Sequence, residues 1–357
     1  MEGVLQWYNN RDIAACGNMD GGALPVAVTV GIIANPAAGK DIRRLVSEAT
    51  VVTAPEKVAL LRRALVGIGA AGVDRVLYLR DAMHLVDQAL AGLSPIRRPN
   101  FTAEPLELPL RRSPDDTRRA ARAMRDAGVA ALLVLGGDGT SRLVAPEIGD
   151  LPLLPMSTGT NNAFPLWAEA TAAGLALGVV ARGLTPEALV RRKRIAFARE
   201  GAPEEWGLVD AVVLRPSYHG TQAVWDPDDV EQIVVTQATP GTVGWSAVIA
   251  ALEPLSITDP QGARAFCSPT AARRAVAAIG PGLVEQVGVT SFERLPLGVI
   301  VPVGPGPRSV ALDGEPIARL LDGEQAQLCV LQDGPVVIEI ATALALAASR
   351  GAFTLGG

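Results

Sequence analysis

Leu132-Leu133-Val134-Leu135-Gly136-Gly137-Asp138-Gly139-Thr140 is the stretch that decides how this sequence folds. The apolar run from Val129 to Leu135 has the character of a strand buried on both faces of a parallel sheet. It leads directly into three glycines around one aspartate, with a short helix expected to follow. Glycines let a backbone turn sharply and bring N–H groups against an anion, and a helix start adds its dipole toward phosphate. In open α/β sheets, ligands bind at the carboxyl ends of the strands. Asp138 in that place has the chemistry of a general base for a substrate hydroxyl, or of a magnesium contact through water. A lone Gly-Asp-Gly turn is equally ordinary βα chemistry with an N-capping aspartate, so the neighbouring segments have to decide.

Upstream, Val26 to Ala34 is a second continuous apolar run and predicts another buried strand. Thr53 with Glu56 forms a capping box around Pro55, and Val58, Leu61, Leu65 and Ile68 follow at helical spacing up to Gly72. Arg75 to Leu79 reads as the next strand. Ser113-Pro114-Asp115-Asp116 starts a helix whose buried stripe is Ala120, Met124 and Ala127, with Gly128 as its stop. Leu151 to Pro155 predicts a short strand and Leu166 to Arg182 a helix. Strands alternating with helices imply a parallel sheet covered on both faces.

The pattern changes near Arg194. Short β-rich segments separated by Gly and Pro follow: Ile195 to Ala198, Leu208 to Leu214, Gln232 to Thr236, Leu297 to Val303, Ser309 to Leu312, Gln327 to Leu331 and Val336 to Ile340. That spacing suits an antiparallel sandwich. Thr342 to Ser349 is helical in pattern and is expected to fold back on the first domain. The expected fold class is an α/β N-terminal domain with a parallel sheet plus a C-terminal β-rich, sandwich-like domain. The expected divisions are an arm at 1–24, the α/β nucleotide-binding domain at 25–190, the β-rich domain at 191–340 and a returning helix at 341–357.

Two more strand-end loops have the right composition. Asn35-Pro36-Ala37-Ala38-Gly39-Lys40 follows the first strand, and Ser157-Thr158-Gly159-Thr160-Asn161-Asn162 follows another. Each alone is plain turn chemistry; side by side with the Gly136 turn along one sheet edge, the three form a binding cleft. No Walker A sequence and no G-x-G-x-x-G stands at the expected βα junction, which disfavours P-loop and standard dinucleotide-fold readings.

Composition narrows the function classes. A net charge of -5 argues against nucleic acid as a partner. No apolar stretch approaches the roughly 20 residues of a membrane span, and Met1 to Asn10 does not read as a signal peptide. Cys16, Cys267 and Cys329 are widely spaced, as expected of buried thiols in a reducing compartment. These features point to a cytoplasmic protein. Lys40, Lys57 and Lys193 are the only lysines, and Lys40 is a candidate phosphate contact. Arg191-Arg192-Lys193-Arg194 reads as a solvated stretch leading into a strand. His84 reads as a surface histidine on a helix, and His219 lies in a polar loop.

Gly136-Gly137-Asp138-Gly139-Thr140 resembles the signature shared by NAD kinases and the diacylglycerol and sphingosine kinases, and is similar to one in phosphofructokinases. Asn35-Pro36-x-x-Gly39 resembles the first loop of the lipid-kinase branch. Ser157 to Pro165 resembles the second loop of both branches. Over residues 26 to 340 the chain is most similar to the ATP-NAD kinase/AcoX group, which includes a protein associated with acetoin catabolism. The resemblance implies an active site between an α/β and a β domain, with ATP and Mg2+ or another divalent cation. It implies that Asp138 is the catalytic aspartate. Asn35, Gly39, Lys40, Gly136, Gly137, Gly139, Thr140, Thr158, Gly159, Thr160, Asn161 and Asn162 would then surround the nucleotide phosphates. Thr239-Pro240-Gly241-Thr242-Val243-Gly244-Trp245 resembles a family Thr-Pro-Thr-Gly-Ser-Thr-Ala-Tyr segment that helps to hold NAD, so Thr239 and Thr242 are substrate-binding candidates. It is one residue shorter, with Trp245 where a tyrosine is usual. Leu312-Asp313-Gly314-Glu315 resembles the Asp-Gly-Glu segment near the metal in lipid kinases, which makes Asp313 and Glu315 metal-site candidates. Asp322-Gly323-Glu324 is a second copy, and Asp-Gly between β segments is also common hairpin chemistry. Family habit implies a homo-oligomer.

The leading function is therefore phosphoryl transfer from ATP to a hydroxyl of NAD or a related small molecule. The alternatives are a non-catalytic nucleotide-binding regulatory protein and a lipid or diacylglycerol-type kinase. A lipid kinase is expected to show an apolar groove or basic membrane face, and this acidic chain shows neither clearly.

Overall fold

The computed structural model describes residues 27–38, 48, 52–95, 99–158, 162–216 and 226–354. The first half forms β1 (Thr29–Ala34), α1 (Ala54–Ala70), β2 (Arg75–Tyr78), α2 (Leu85–Ala91), β3 (Thr102–Pro105), α3 (Pro114–Asp126), β4 (Ala131–Gly136), α4 (Asp138–Ile148), β5 (Leu153–Ser157) and α5 (Ala170–Ala181). The second half begins with β6 (Leu189–Arg191), β7 (Arg194–Arg199), β8 (Glu205–Gly207), β9 (Asp210–Leu214), β10 (Val230–Val235), α6 (Ser246–Leu252) and β11 (Gln261–Cys267). It continues with β12 (Arg274–Gly280), β13 (Leu283–Pro296), β14 (Ile300–Val303), β15 (Arg308–Leu312), β16 (Glu315–Leu320), β17 (Ala326–Leu331), β18 (Val336–Ile338) and α7 (Ile340–Ser349).

The first sheet has seven strands in the order β3-β2-β1-β4-β5-β18-β6. All its pairs are parallel except β18 with β6. The apolar runs behave as strands buried on both faces. Val30, Ile32, Leu133 and Leu135 join the core under α1, α2, α5 and α7. Ile33, Leu132 and Val134 point the other way, into the core under α3 and α4. Each such side chain contributes about 1.5–3 kcal/mol on burial.

The helices start where the sequence places their caps. Thr53 and Glu56 form both halves of a capping box for α1, and Ser113 with Asp116 does the same for α3. Helix α5 starts at Ala170, capped by the Glu169 carboxylate, later than the predicted Leu166. Leu166 is committed instead to a parallel bridge with Met156 of β5. Helices α1 and α5 approach so closely that a methyl at Gly67 would strike the Thr171 carbonyl, and one at Gly174 the Ala64 carbonyl.

The second domain is antiparallel. A seven-stranded sheet, β12-β13-β11-β10-β9-β15-β16, faces a four-stranded sheet, β14-β17-β7-β8. Phe197, Val213, Val234, Val310 and Leu328 fill the space between them, while α6 covers the outer face of the larger sheet. The long strands β11 to β13 and helix α6 are additions to the sequence reading. The expected strand from Val336 to Ile340 does not belong to the β domain: β18 inserts between β5 and β6 of the first sheet. The chain thus returns to the first domain at β18, and α7 continues that return through Ala343 and Ala347.

Candidate active site

Strand β4 ends at Gly136, and Gly137 is the N-cap of α4 in an extended conformation, φ -108°. Gly136, Gly137 and Gly139 are absent from the positive-φ glycines, so close approach explains them better than backbone handedness does. A Cβ on Gly136 would stand 2.6 Å from the Thr140 hydroxyl, and one on Gly139 would run into the Glu315 carboxylate. Asp138 is the first residue of α4. Its carboxylate accepts hydrogen bonds from the N–H groups of Phe164 (2.9 Å) and Ala163 (3.1 Å), so the glycine turn holds the end of the loop that follows β5.

The three predicted strand-end loops meet. The Asn35 N–H donates to the Leu135 carbonyl (2.9 Å), and the Thr158 N–H donates to the Gly136 carbonyl (2.9 Å). The Asn35 amide donates to the Thr140 hydroxyl at 2.8 Å, tying the first loop to the glycine turn. Asn162 donates from its amide to the Ser157 hydroxyl. The Thr158 and Ser141 hydroxyls are buried with no hydrogen-bond partner among the described residues. Gly39, Lys40, Gly159, Thr160, Asn161 and His219 lie outside the described residues.

Lys57 supports the first loop and was not singled out from sequence. It is 1% exposed on α1. Its ammonium donates to the carbonyls of Asn35 (3.1 Å), Pro36 (3.1 Å) and Ala38 (2.7 Å). The available signal was its spacing: Lys57 falls four residues before Leu61, on the stripe that α1 buries.

The β domain reaches the same loops. The Gln237 amide donates to the Ala163 carbonyl at 2.8 Å and accepts from Arg192. The Arg192 guanidinium lies over the Phe164 ring, 5.1 Å from its centre, and burial pulls its pKa down. Thr239 and Thr242 occupy the turn after Gln237, where the Thr242 hydroxyl donates to the Thr239 carbonyl at 2.8 Å. Trp245 is buried in the β-domain core. Only the start of the basic run is solvated: Arg191 is exposed, whereas Arg192, Lys193 and Arg194 are all buried. The Lys193 ammonium fills a nest of carbonyls from Ser256, Asp259 and Gln261. Arg194 makes a fork with Asp333 (2.8 and 3.0 Å) and stacks on Trp206.

The two acids of the 313–315 turn have different fates. Asp313 is buried in a left-handed conformation, φ 50°. Its carboxylate accepts N–H bonds from Leu208 (2.8 Å), Val209 (2.8 Å) and Asp210 (3.2 Å). Burial pushes its pKa up, against the pull of those donors and of Arg142. Glu315 is exposed and pairs with Arg142 of α4 at 2.5 Å. Arg142, itself 6% exposed, also lies 3.6 Å from Glu205 of β8. Among the described residues no group of three or more His, Cys, Asp or Glu is placed to hold a metal ion. A metal shared by Asp313 and Glu315 does not fit this arrangement, because both Asp313 oxygens are buried and taken by backbone N–H groups.

Asp322 and Glu324 lie elsewhere, on a groove of about 880 Å³ also lined by Arg199 and Glu200. It shares no lining residue with the glycine turn, and three exposed carboxylates make it a poor phosphate site. No helix among the described residues is long and apolar enough to cross a membrane.

Residues 30–184 match the ATP-NAD kinase N-terminal domain family, and residues 193–333 match the C-terminal domain family of acetoin catabolism protein X. The acetoin catabolism protein X of Cupriavidus necator is 37% identical over 310 residues, covering 84% of this chain and 86% of that protein. Among solved structures, yeast NADH kinase complexed with NADH superposes with a TM-score of 0.51 at 14% identity, over 93% of this chain and 89% of that one. At that identity the likeness is one of fold.

Proposed function

We propose, from the premise that the chain belongs to the ATP-NAD kinase and acetoin catabolism protein X family, that it transfers a phosphoryl group from ATP to a hydroxyl of a small molecule or dinucleotide. The observation that carries this reading is the position of Asp138. Its carboxylate stands at the first residue of α4, at the carboxyl end of β4, where it binds the loop after β5, while the loop after β1 is tied to Thr140 two residues on. Phosphoryl transfer asks little covalent chemistry of a protein; positioning and charge neutralisation provide most of the rate. Backbone N–H groups at the start of α4 and the Thr140 and Thr158 side chains supply donors for phosphate oxygens. Asp138 is the base that takes the proton of the acceptor hydroxyl. A divalent cation bound to ATP would supply charge neutralisation on its phosphates.

The acceptor is a dinucleotide or a smaller hydroxylated metabolite. Yeast NADH kinase binds a dinucleotide on a related fold, and Thr239 and Thr242 are the residues here that correspond to the family's NAD-holding segment. A second reading, a nucleotide-binding regulator without turnover, draws on the same aspartate. The Ala163 and Phe164 N–H groups already engage its carboxylate, which gives Asp138 a structural duty.

ADP release separates the two. It is measured with ATP, magnesium and a panel of NAD, NADH, small diols and diacylglycerol. Turnover with one acceptor that disappears in Asp138→Asn supports the kinase; ATP binding without turnover across the panel sinks it in favour of the regulator.

A further inference from the structure

Glu315 stands where an anion would be expected. Its carboxylate lies against Gly139, within the first turn of the eleven-residue helix α4, and at the same time binds the Arg142 guanidinium one turn further on. Any anion that replaces it over Gly139 therefore meets Arg142. The two partners differ in freedom. The Arg142 side chain is 6% exposed and fixed among Glu315, Glu205 and the nearby Asp313, whereas the Glu315 side chain is 49% exposed. Among the described residues the buried Arg142 Nε has no hydrogen-bond partner, so the guanidinium retains at least one unused donor. Burying an unused charged donor costs free energy, and a ligand oxygen removes that cost.

From this geometry we infer that Arg142 is a phosphate ligand of the glycine turn, and that Glu315 occupies its place until a phosphorylated ligand binds. The inference rests on the phosphoryl-transfer reading and adds a residue to it. A guanidinium binds phosphate through paired, charge-assisted hydrogen bonds, which outcompete a single solvent-exposed carboxylate. Glu315 swings outward at little cost because half of its side chain already faces water. Glu205, 3.6 Å from Arg142, continues to balance the guanidinium. No bond is made or broken in this exchange; one anion replaces another.

The test is calorimetric titration of the full chain with inorganic tripolyphosphate and with magnesium ATP. Removing the competing carboxylate in Glu315→Gln is expected to tighten tripolyphosphate binding by about threefold or more, and Arg142→Met to weaken it by about tenfold or more. Arg142→Lys, which keeps the charge and loses the fork, falls between. In the double variant the gain from Glu315→Gln disappears. Thermal unfolding of each variant checks that it is folded, and Glu315→Gln carries the test if Arg142→Met is not. Weaker binding in Glu315→Gln overturns the inference, because Glu315 would then assist the ligand. Unchanged binding in a folded Arg142→Met also overturns it while leaving the kinase reading intact. Wild-type protein that binds neither ligand overturns both.

Discussion

Arg142 of α4 and Glu315 of β16 meet across the boundary between the two domains, guanidinium to carboxylate at 2.5 Å. They are 173 positions apart in sequence. The contact explains a glycine. The motif leads one to expect Gly139 for its closeness to phosphate, yet the group that excludes a side chain there is the Glu315 carboxylate.

Two glycine substitutions in the same turn should therefore behave differently. Gly136→Ala pushes a methyl against the β-branched, buried side chain of Thr140 and is expected to cost about 1–3 kcal/mol of stability. Gly139→Ala meets only the end of an exposed, flexible side chain, and is expected to cost under about 1 kcal/mol while breaking the Arg142–Glu315 pair. Urea unfolding of both variants checks the ranking. A cycle of Gly139→Ala with Glu315→Ala checks its cause, since the effect of the methyl should vanish once the carboxylate is gone.

Asp313→Asn isolates the role of the buried acid. Asparagine tolerates the left-handed conformation at φ 50° as well as aspartate does, so backbone strain is not the variable. One Asp313 oxygen accepts from Leu208, Val209 and Asp210 and stays an acceptor in asparagine, while the NH2 replaces the oxygen that the Leu208 N–H reaches at 2.8 Å, so two donors face each other there. A loss of about 1–2 kcal/mol follows, from that clash of donors and from the weaker, neutral acceptor. Asp313→Asn as stable as wild type in urea would mean that the carboxylate does not anchor this turn.

Much of this organisation was legible in the sequence because it is local. Caps at Thr53 and Ser113, the apolar runs of β1 and β4 and the three polar strand ends each occupy fewer than about ten residues, within reach of pattern reasoning. What escaped depends on partners far along the chain. Arg192 and Arg194 read as solvated charges because Gln237 and Asp333, which satisfy them, are not neighbours in sequence. Strands β11 and β13 mix Arg and Glu with apolar residues, and the cross-strand Arg264–Glu293 pair makes sense of that pattern only after the register is known. Asp313 and Glu315 look equivalent two residues apart; what separates a buried clamp from an exposed ion-pair partner is set by the turn between β8 and β9 and by α4.

Lys57→Met tests whether the first loop needs its internal cation. The substitution preserves most of the side-chain volume but leaves the Asn35, Pro36 and Ala38 carbonyls without their shared donor. The expected cost is about 2–3 kcal/mol in urea unfolding. Binding of magnesium ATP should weaken in parallel, since Asn35 also holds Thr140 of the glycine turn. Full stability with full nucleotide affinity would remove Lys57 from the description of the site.

Lys193 gives the protein a pH dependence of stability in the alkaline range. The side chain is buried, and burial lowers its pKa from 10.5 to about 8, with Asp259 pulling the other way. Between those two values the unfolded chain holds the proton that the folded chain has released. Folding then gains stability as pH rises from about 8 toward 10.5, and that contribution is lost as pH falls through the folded value. Lys193→Met removes the titration while leaving the Ser256, Asp259 and Gln261 carbonyls unpaired at every pH. The stability of wild type relative to Lys193→Met should therefore grow between about pH 8 and about pH 10, within the interval set by the two pKa values. Urea unfolding at several pH values across that interval measures the difference. A constant difference would show that Lys193 keeps an ordinary lysine pKa in the folded chain, and a shrinking one that its charged form is the one the carbonyl nest favours.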